Sequence, residues 1–424
     1  MRILYWSDYR FRVEFGLLLG LVIALPMFEG LKNILWLLYG LAWYVNRLRP
    51  GISWEEVGGR PDAWDALIIA LLIAAPLGAA FAGIHDHEWT ACYDSLRMVS
   101  MLWFLKRSGY GNAEWLHLHI TIQGALVIAA VWALIALALP HSYEGIQLNS
   151  VGHVNQSVIY IVIGFGALIG GVAAYWRRMH VGWRVAAIVA LGIDLAALFA
   201  AGSRAAAATA IIGAFAFSLL WMKRSRGPIV WTAVVVATFA VLVTTLDTDM
   251  RRKQEFALDS AHPFLNERYP IWQQALVAWR AHPAFGIGGD NFSDITAARI
   301  ETWSRAAGAP YDMPEFVDST HAHSLYLNTL AEHGMLGLAM LVALCAAWTW
   351  TLVRDKPASA DPPLAWLAWS GAAAALLVTL GLGAFNTTLH DEHGLLALMM
   401  LGIWLGYRRE RLSGVGARAA ATVR

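Results

Sequence analysis

Twelve apolar stretches recur along the chain, at about 13–28, 31–45, 64–84, 95–106, 117–139, 154–176, 182–201, 204–222, 229–246, 324–353, 363–385 and 393–407. Runs of about 17–25 apolar residues are the mark of a spanning helix. In hydrocarbon, a helix is the only open segment that pairs all its own backbone groups. The expected fold is therefore an all-α polytopic membrane protein with about 12 transmembrane helices. The first, second and fourth stretches are short and are expected to be tilted, partial or re-entrant. Composition agrees: of 424 residues, 58% are hydrophobic and 14% charged, where soluble domains carry about a quarter charged residues. The net charge of +1 offers no footprint for nucleic acid. Cys92 and Cys345 are the two cysteines, and Cys345 lies inside an apolar run, which argues against a disulfide framework.

Lysine and arginine in short connections set orientation. One side carries Arg2, Arg10 and Arg12; Arg47, Arg49 and Arg60; Lys106 and Arg107; Arg177, Arg178 and Arg184; Lys223, Arg224 and Arg226; Arg354 and Lys356; and the tail from Arg408. The other side carries almost none, Lys32 and Arg204 being exceptions. Both termini are then expected in the cytoplasm, with an uncleaved first span. The expected organisation is helices 1–9 over 1–246, an outer loop domain over 247–323, helices 10–12 over 324–410 and a tail over 411–424. Within the loop, Ile271, Ala275, Leu276 and Trp279 share one face of an amphipathic helix begun by Pro270. That helix is expected to lie on the bilayer or on the bundle.

Polar groups at the mouths of spanning helices are costly and point to function. Gly202-Ser203-Arg204 joins two apolar runs with almost no loop, and a guanidinium there suits a bidentate anion such as phosphate. Arg268 opens the outer amphipathic helix. His321 and His323 precede the apolar run that begins near Leu336, and a neutral histidine accepts a proton from a hydroxyl. Glu332 and His333 lie about 13–15 Å deeper on a helix, which makes Glu332 a buried structural carboxylate rather than a direct partner of His323. His85-Asp86-His87-Glu88, Asp247-Thr248-Asp249 and His390-Asp391-Glu392-His393 lack the spacing of a helical zinc site and read as solvated acidic loops. Gly286-Ile287-Gly288-Gly289 lacks the Lys-Ser/Thr of a phosphate loop.

His323-Ser324, nine residues, then Gly334-x-x-Gly337 resembles the His-[Asn/Ser/Gln]-x9-Gly-x-x-Gly signature of the O-antigen ligases, within the superfamily of O-antigen polymerases and O-oligosaccharyltransferases. Gly202-Ser203-Arg204 resembles the family's Ser-Arg junction. Arg268…Ile271-Trp272…His282-Pro283-x-Phe285-Gly286-x-Gly288…Asn291-Phe292 resembles the start of its large periplasmic loop. Gly152-His153-x-Asn155-Gln156 is a weaker likeness.

The resemblance implies a GT-C-like, inverting glycosyltransferase of the bacterial inner membrane, independent of metal and cofactor, with its site facing the periplasm. Its partners would be membrane lipids, an undecaprenyl-diphosphate-linked glycan as donor and the lipid A–core oligosaccharide as acceptor. His323 would be the general base; Arg204 and Arg268 would stabilise the diphosphate. His321, Ser203, Tyr160, Asn155, Gln156 and Glu332 complete the candidate substrate-binding set. A polymerase or protein O-oligosaccharyltransferase differs in the acceptor. A transporter would move its substrate without consuming it.

Overall fold

A computed structural model of the chain describes residues 8–49, 54–139, 145–201, 268–308 and 316–422. Among them there is no strand. The helices are α1 (Tyr9–Ala24), α2 (Glu29–Arg47), α3 (Trp54–Gly58), α4 (Ala63–Ala80), α5 (Glu88–Lys106), α6 (Asn112–Leu137), α7 (Val154–Tyr175), α8 (Val181–Ala200), α9 (Tyr269–Ala281), α10 (Ala297–Ala306), α11 (Leu325–Arg354), α12 (Pro363–Gly383) and α13 (Asp391–Thr422). Ten of the expected spans coincide with α1, α2, α4–α8 and α11–α13; those at 204–222 and 229–246 lie outside the described residues. Among the described residues, six helices, α4, α6, α7, α8, α11 and α12, are long and apolar enough to cross a membrane.

Helices α7, α12 and α13 form the centre, with α5 packed on α13. Small residues let α7 and α12 approach: a Cβ on Gly170 would lie 2.1 Å from Ser370 Oγ, and one on Gly166 2.7 Å from the Ala374 Cβ. Close backbone approach of this kind is how apolar helices associate where lipid is as apolar as leucine.

The ionisable residues in the less apolar helices are paired inside. At one end, Arg47 binds Glu14 at 3.0 Å and Lys106 binds Asp65 at 2.6 Å. At the other, Arg97 pairs with Asp94 at 3.1 Å and Glu392 at 3.4 Å. Lys32, an exception to the charge asymmetry, is also internal: 2% exposed, paired with Glu392 and donating to the Ser150 carbonyl at 3.2 Å.

Helix α11 is broken. Gly334 has φ 61° and ψ −157°, so the ladder around it opens. The strip 283–288 fills the break. Ile287 and Gly288 N–H groups donate to the carbonyls of Ala331 and Glu332, each at 2.9 Å; Met335 and Leu336 donate to Pro283 and Ala284 at 2.9 and 3.1 Å. Backbone groups freed at membrane depth are thereby paired with protein. Gly83 and Ile84 donate to the carbonyls of Gly286 and Ile287, at 3.0 and 2.9 Å, holding the strip from behind. Those N–H groups of Ile287 and Gly288 are spent on the helix, which agrees with the reading that 286–289 is no phosphate loop.

Asn291, fully buried, staples this assembly. Its Nδ2 donates to the Ile84 and Ile287 carbonyls at 2.8 and 3.1 Å, and its Oδ1 accepts the His87 N–H at 2.8 Å. An unpaired buried polar group costs about 1–3 kcal/mol. Asn291→Leu is therefore expected to lower the thermal midpoint of the purified protein markedly, whereas Ser293→Ala, on the exposed side of the same turn, should leave it within error.

Helix α9 begins with Pro270 in its first turn and packs on α11, the bundle rather than the bilayer. Ile271 and Ala275 are buried as expected, joined by Gln274 and Ala278, while Leu276 and Trp279 are half-buried.

Candidate functional site

The site lies where α9, the strip before α11, and the turn between α12 and α13 meet. Ser324 caps α11, its hydroxyl facing the Leu327 N–H at 3.5 Å. Just before it, the backbone reverses: His323 has φ 47°. Such conformations cost about 1–3 kcal/mol in residues other than glycine and persist where surroundings impose them. Here Asn328 imposes it. Its Oδ1 accepts the N–H of Ala322 at 2.9 Å, and its Nδ2 donates to Glu332 Oε2 at 2.7 Å. Glu332 is buried and also receives the backbone N–H groups of Asp290 and Phe292. The carboxylate is thus a structural anchor, one turn below Asn328 and deeper in α11 than the histidines it steadies.

The turn brings His321 and His323 together, their ring centroids 4.8 Å apart and inclined at 70°. Both are half-buried. The Asn386 side chain bonds the His323 ring, whose Nδ1 is buried without a partner among the described residues. Arg268 arrives from the other side: its Nη1 donates to the Phe385 carbonyl at 2.6 Å, with the guanidinium carbon 5.9 Å from the Phe385 ring centroid. Desolvation, and then the Arg268 charge, pull the His323 pKa below the ordinary histidine value. Desolvation and the neighbouring His323 push His321 down to about 4. Both rings are therefore neutral near pH 7, and His323 is competent as a base.

The third wall is His390. Its Nε2 lies 3.0 Å from Asp290 Oδ1 and its Nδ1 2.7 Å from Asp391 Oδ2. Desolvation opposes the charged ring, but the two carboxylates outweigh it and hold His390 well above the usual range. Asp290 and Asp391 have φ 60° and 43°, so all three described non-glycine residues with left-handed backbone, His323 included, border the site. Gln156 Nε2 donates to Asp391 Oδ2 at 3.2 Å, linking α7 to this wall.

The expected residues divide accordingly. Arg268, His321 and His323 come together, with Gln156 at the rim through Asp391. Asn155 is half-buried in the first turn of α7 and donates its N–H to His153. Tyr160 is only 1% exposed, inside the bundle near Glu392, and supports helix packing rather than the open face of the cluster. Ser203, Arg204 and Asp247-Thr248-Asp249 lie outside the described residues. The reading of residues 390–393 as a solvated acidic loop is corrected: Glu392 and His393 are buried, and Asp391 and His390 are ion-paired. Their position at the mouth of the run 393–407 carried the signal. The loop at 85–88 is solvated in part. Asp86 and His87 are exposed and, with Asp294, bring ligand atoms within 4.8 Å of one another, while Glu88 is buried.

Residues 187–342 match the family model described as O-antigen ligase. No curated protein matches the chain. The matched segment contains Arg268, both site histidines and the Gly334 break.

Proposed function

We propose that this chain, which belongs to the O-antigen ligase superfamily, transfers a glycan from undecaprenyl diphosphate to a sugar hydroxyl of the lipid A–core oligosaccharide at the outer face of the bacterial inner membrane. The observation that carries this reading is the convergence of a neutral His323 with Arg268 on the Phe385–Asn386 turn. A base and a fixed cation on one turn suit attack by a hydroxyl on a donor whose leaving group is anionic.

In the proposed reaction, the acceptor oxygen attacks the anomeric carbon from the face opposite the diphosphate. Its proton passes to His323. The bond from the anomeric carbon to the phosphate oxygen breaks, and its electron pair leaves on the diphosphate, with inversion. Arg268 stabilises the charge that grows there, as does Arg204 in this reading. Preorganised charge of this kind is worth about 10²–10³ in turnover per donor group. The GT-C architecture, the loop domain over 247–323 and the cytoplasmic termini belong to the same proposal.

Arg268 has two effects, and they separate in a pH profile. Its charge holds the His323 pKa down. Without that charge the imidazolium is less penalised, the pKa rises, and less neutral base is present in acid. Arg268→Gln is therefore expected to lower maximal turnover and also to move the acid limb of the pH–rate profile to higher pH. An unmoved limb would detach Arg268 from His323.

The acceptor is tested by omission. Purified protein in nanodiscs receives an undecaprenyl-diphosphate glycan with or without rough lipopolysaccharide. Product only with lipopolysaccharide is expected. Glycan lengthening on the lipid carrier alone would make the chain a polymerase, and vectorial movement without covalent product would make it a transporter.

A further inference from the structure

Helix α7 presents a histidine to the site that the transfer steps above do not use. His153 is exposed and caps α7. Its Nδ1 accepts the Asn155 N–H at 3.3 Å, and its own N–H donates to Gln156 Oε1 at 3.2 Å. A ring nitrogen that accepts a backbone N–H carries no proton, so the neutral ring must hold its proton on Nε2. The cap therefore fixes the tautomer and turns the ring into a hydrogen-bond donor. Gln156 anchors the same turn to Asp391, so the donor sits on a braced element.

His153 is close enough to act electrostatically on both His321 and His323. The charges around these rings are mixed, two cations and two carboxylates, and the cation that bears on His323 is Arg268. The carboxylates of Asp290 and Asp391 are both engaged by His390. We infer that His153 is a further substrate-contacting residue, whose Nε2–H donates to a phosphate oxygen of the lipid-linked diphosphate. The identity of that ligand rests on the transfer reading.

Two substitutions separate this contact from the helix cap. In His153→Asn, the side-chain oxygen takes the place of Nδ1 and caps well, but nothing reaches the position of Nε2. In His153→Gln, the amide nitrogen reaches that position while the cap is poor. Binding of undecaprenyl diphosphate to the full-length protein in nanodiscs, followed by microscale thermophoresis, is the readout, beside the thermal midpoint. The Asn variant is expected to keep the midpoint and bind about 10-fold or more weakly, the size of a lost hydrogen bond to a charged group. The Gln variant is expected to lose midpoint yet bind within about threefold of wild type. The opposite order, or equal affinities in all three, would reduce His153 to a cap and overturn the inference. So would wild-type protein with no affinity for the probe. Wild type that binds the probe but transfers no glycan would defeat the transfer reading alone, because the three affinities still decide the contact.

Discussion

Gly334→Ala is expected to be the most damaging single substitution in the described chain. With φ 61° and ψ −157°, Gly334 occupies a region that is essentially restricted to glycine. A Cβ there would lie 2.5 Å from the Ala284 carbonyl carbon and 2.6 Å from the Gly286 N, both backbone atoms that cannot swing aside. The strip 283–288 would have to leave the break, releasing the four hydrogen bonds it makes with residues 331–336. Strain alone is worth about 1–3 kcal/mol, and each stranded buried group adds about 1–3 kcal/mol. The expected result is little folded protein in the membrane and no transfer by what remains. Gly286→Ala should behave likewise, since its Cβ would meet the Glu332 carbonyl carbon at 2.3 Å. Gly381→Ala is the control: nothing lies within 4 Å of its Cβ, and yield and thermal midpoint should hold. Normal yield of Gly334→Ala would show that the break is not held as described.

The second large effect is expected at His323. Removal of a positioned general base typically costs about 10²–10⁴-fold in rate. His323→Ala should lose turnover to that extent while inserting and accumulating normally, because Ala322 and Asn328 hold the turn through backbone and side-chain bonds that do not involve the imidazole. His321→Ala should cost less. Its ring lies beside His323, but its Nδ1 is occupied by the Thr320 hydroxyl at 2.9 Å. Equal losses in the two variants would mean that the histidines act as a pair.

Much of the helical layout was legible because membrane helices are coded locally: an apolar run of sufficient length leaves the backbone one way to pair. The polar interior was less so. Lys32 looked like an anomaly of topology, but its partner Glu392 stands 360 residues away, and no local pattern joins them. Residues 390–393 read as a solvated loop for the same reason, since the burial of His393 is decided by the packing of α13 against α5 and α12. Gly334 was visible as one residue of a signature. Its physical task became clear only with the strip 283–288 lying in the helix break. The placement of His321 with His323 likewise depends on a left-handed residue held by Asn328, which spacing alone does not encode. Tyr160 belongs to the candidate substrate-binding set, but α7 turns it inward, three residues beyond the polar first turn formed by His153, Asn155, Gln156 and Ser157.

In the proposed reaction His323 serves as the base in a transfer that needs no metal. The most direct test is glycan transfer in nanodiscs in the presence of EDTA, from an undecaprenyl-diphosphate glycan to rough lipopolysaccharide, with wild type beside His323→Ala. Wild-type transfer is expected to be undiminished by EDTA, with a loss of about 10²–10⁴-fold in the variant. Transfer abolished by EDTA, or retained by His323→Ala, would contradict the proposed reaction.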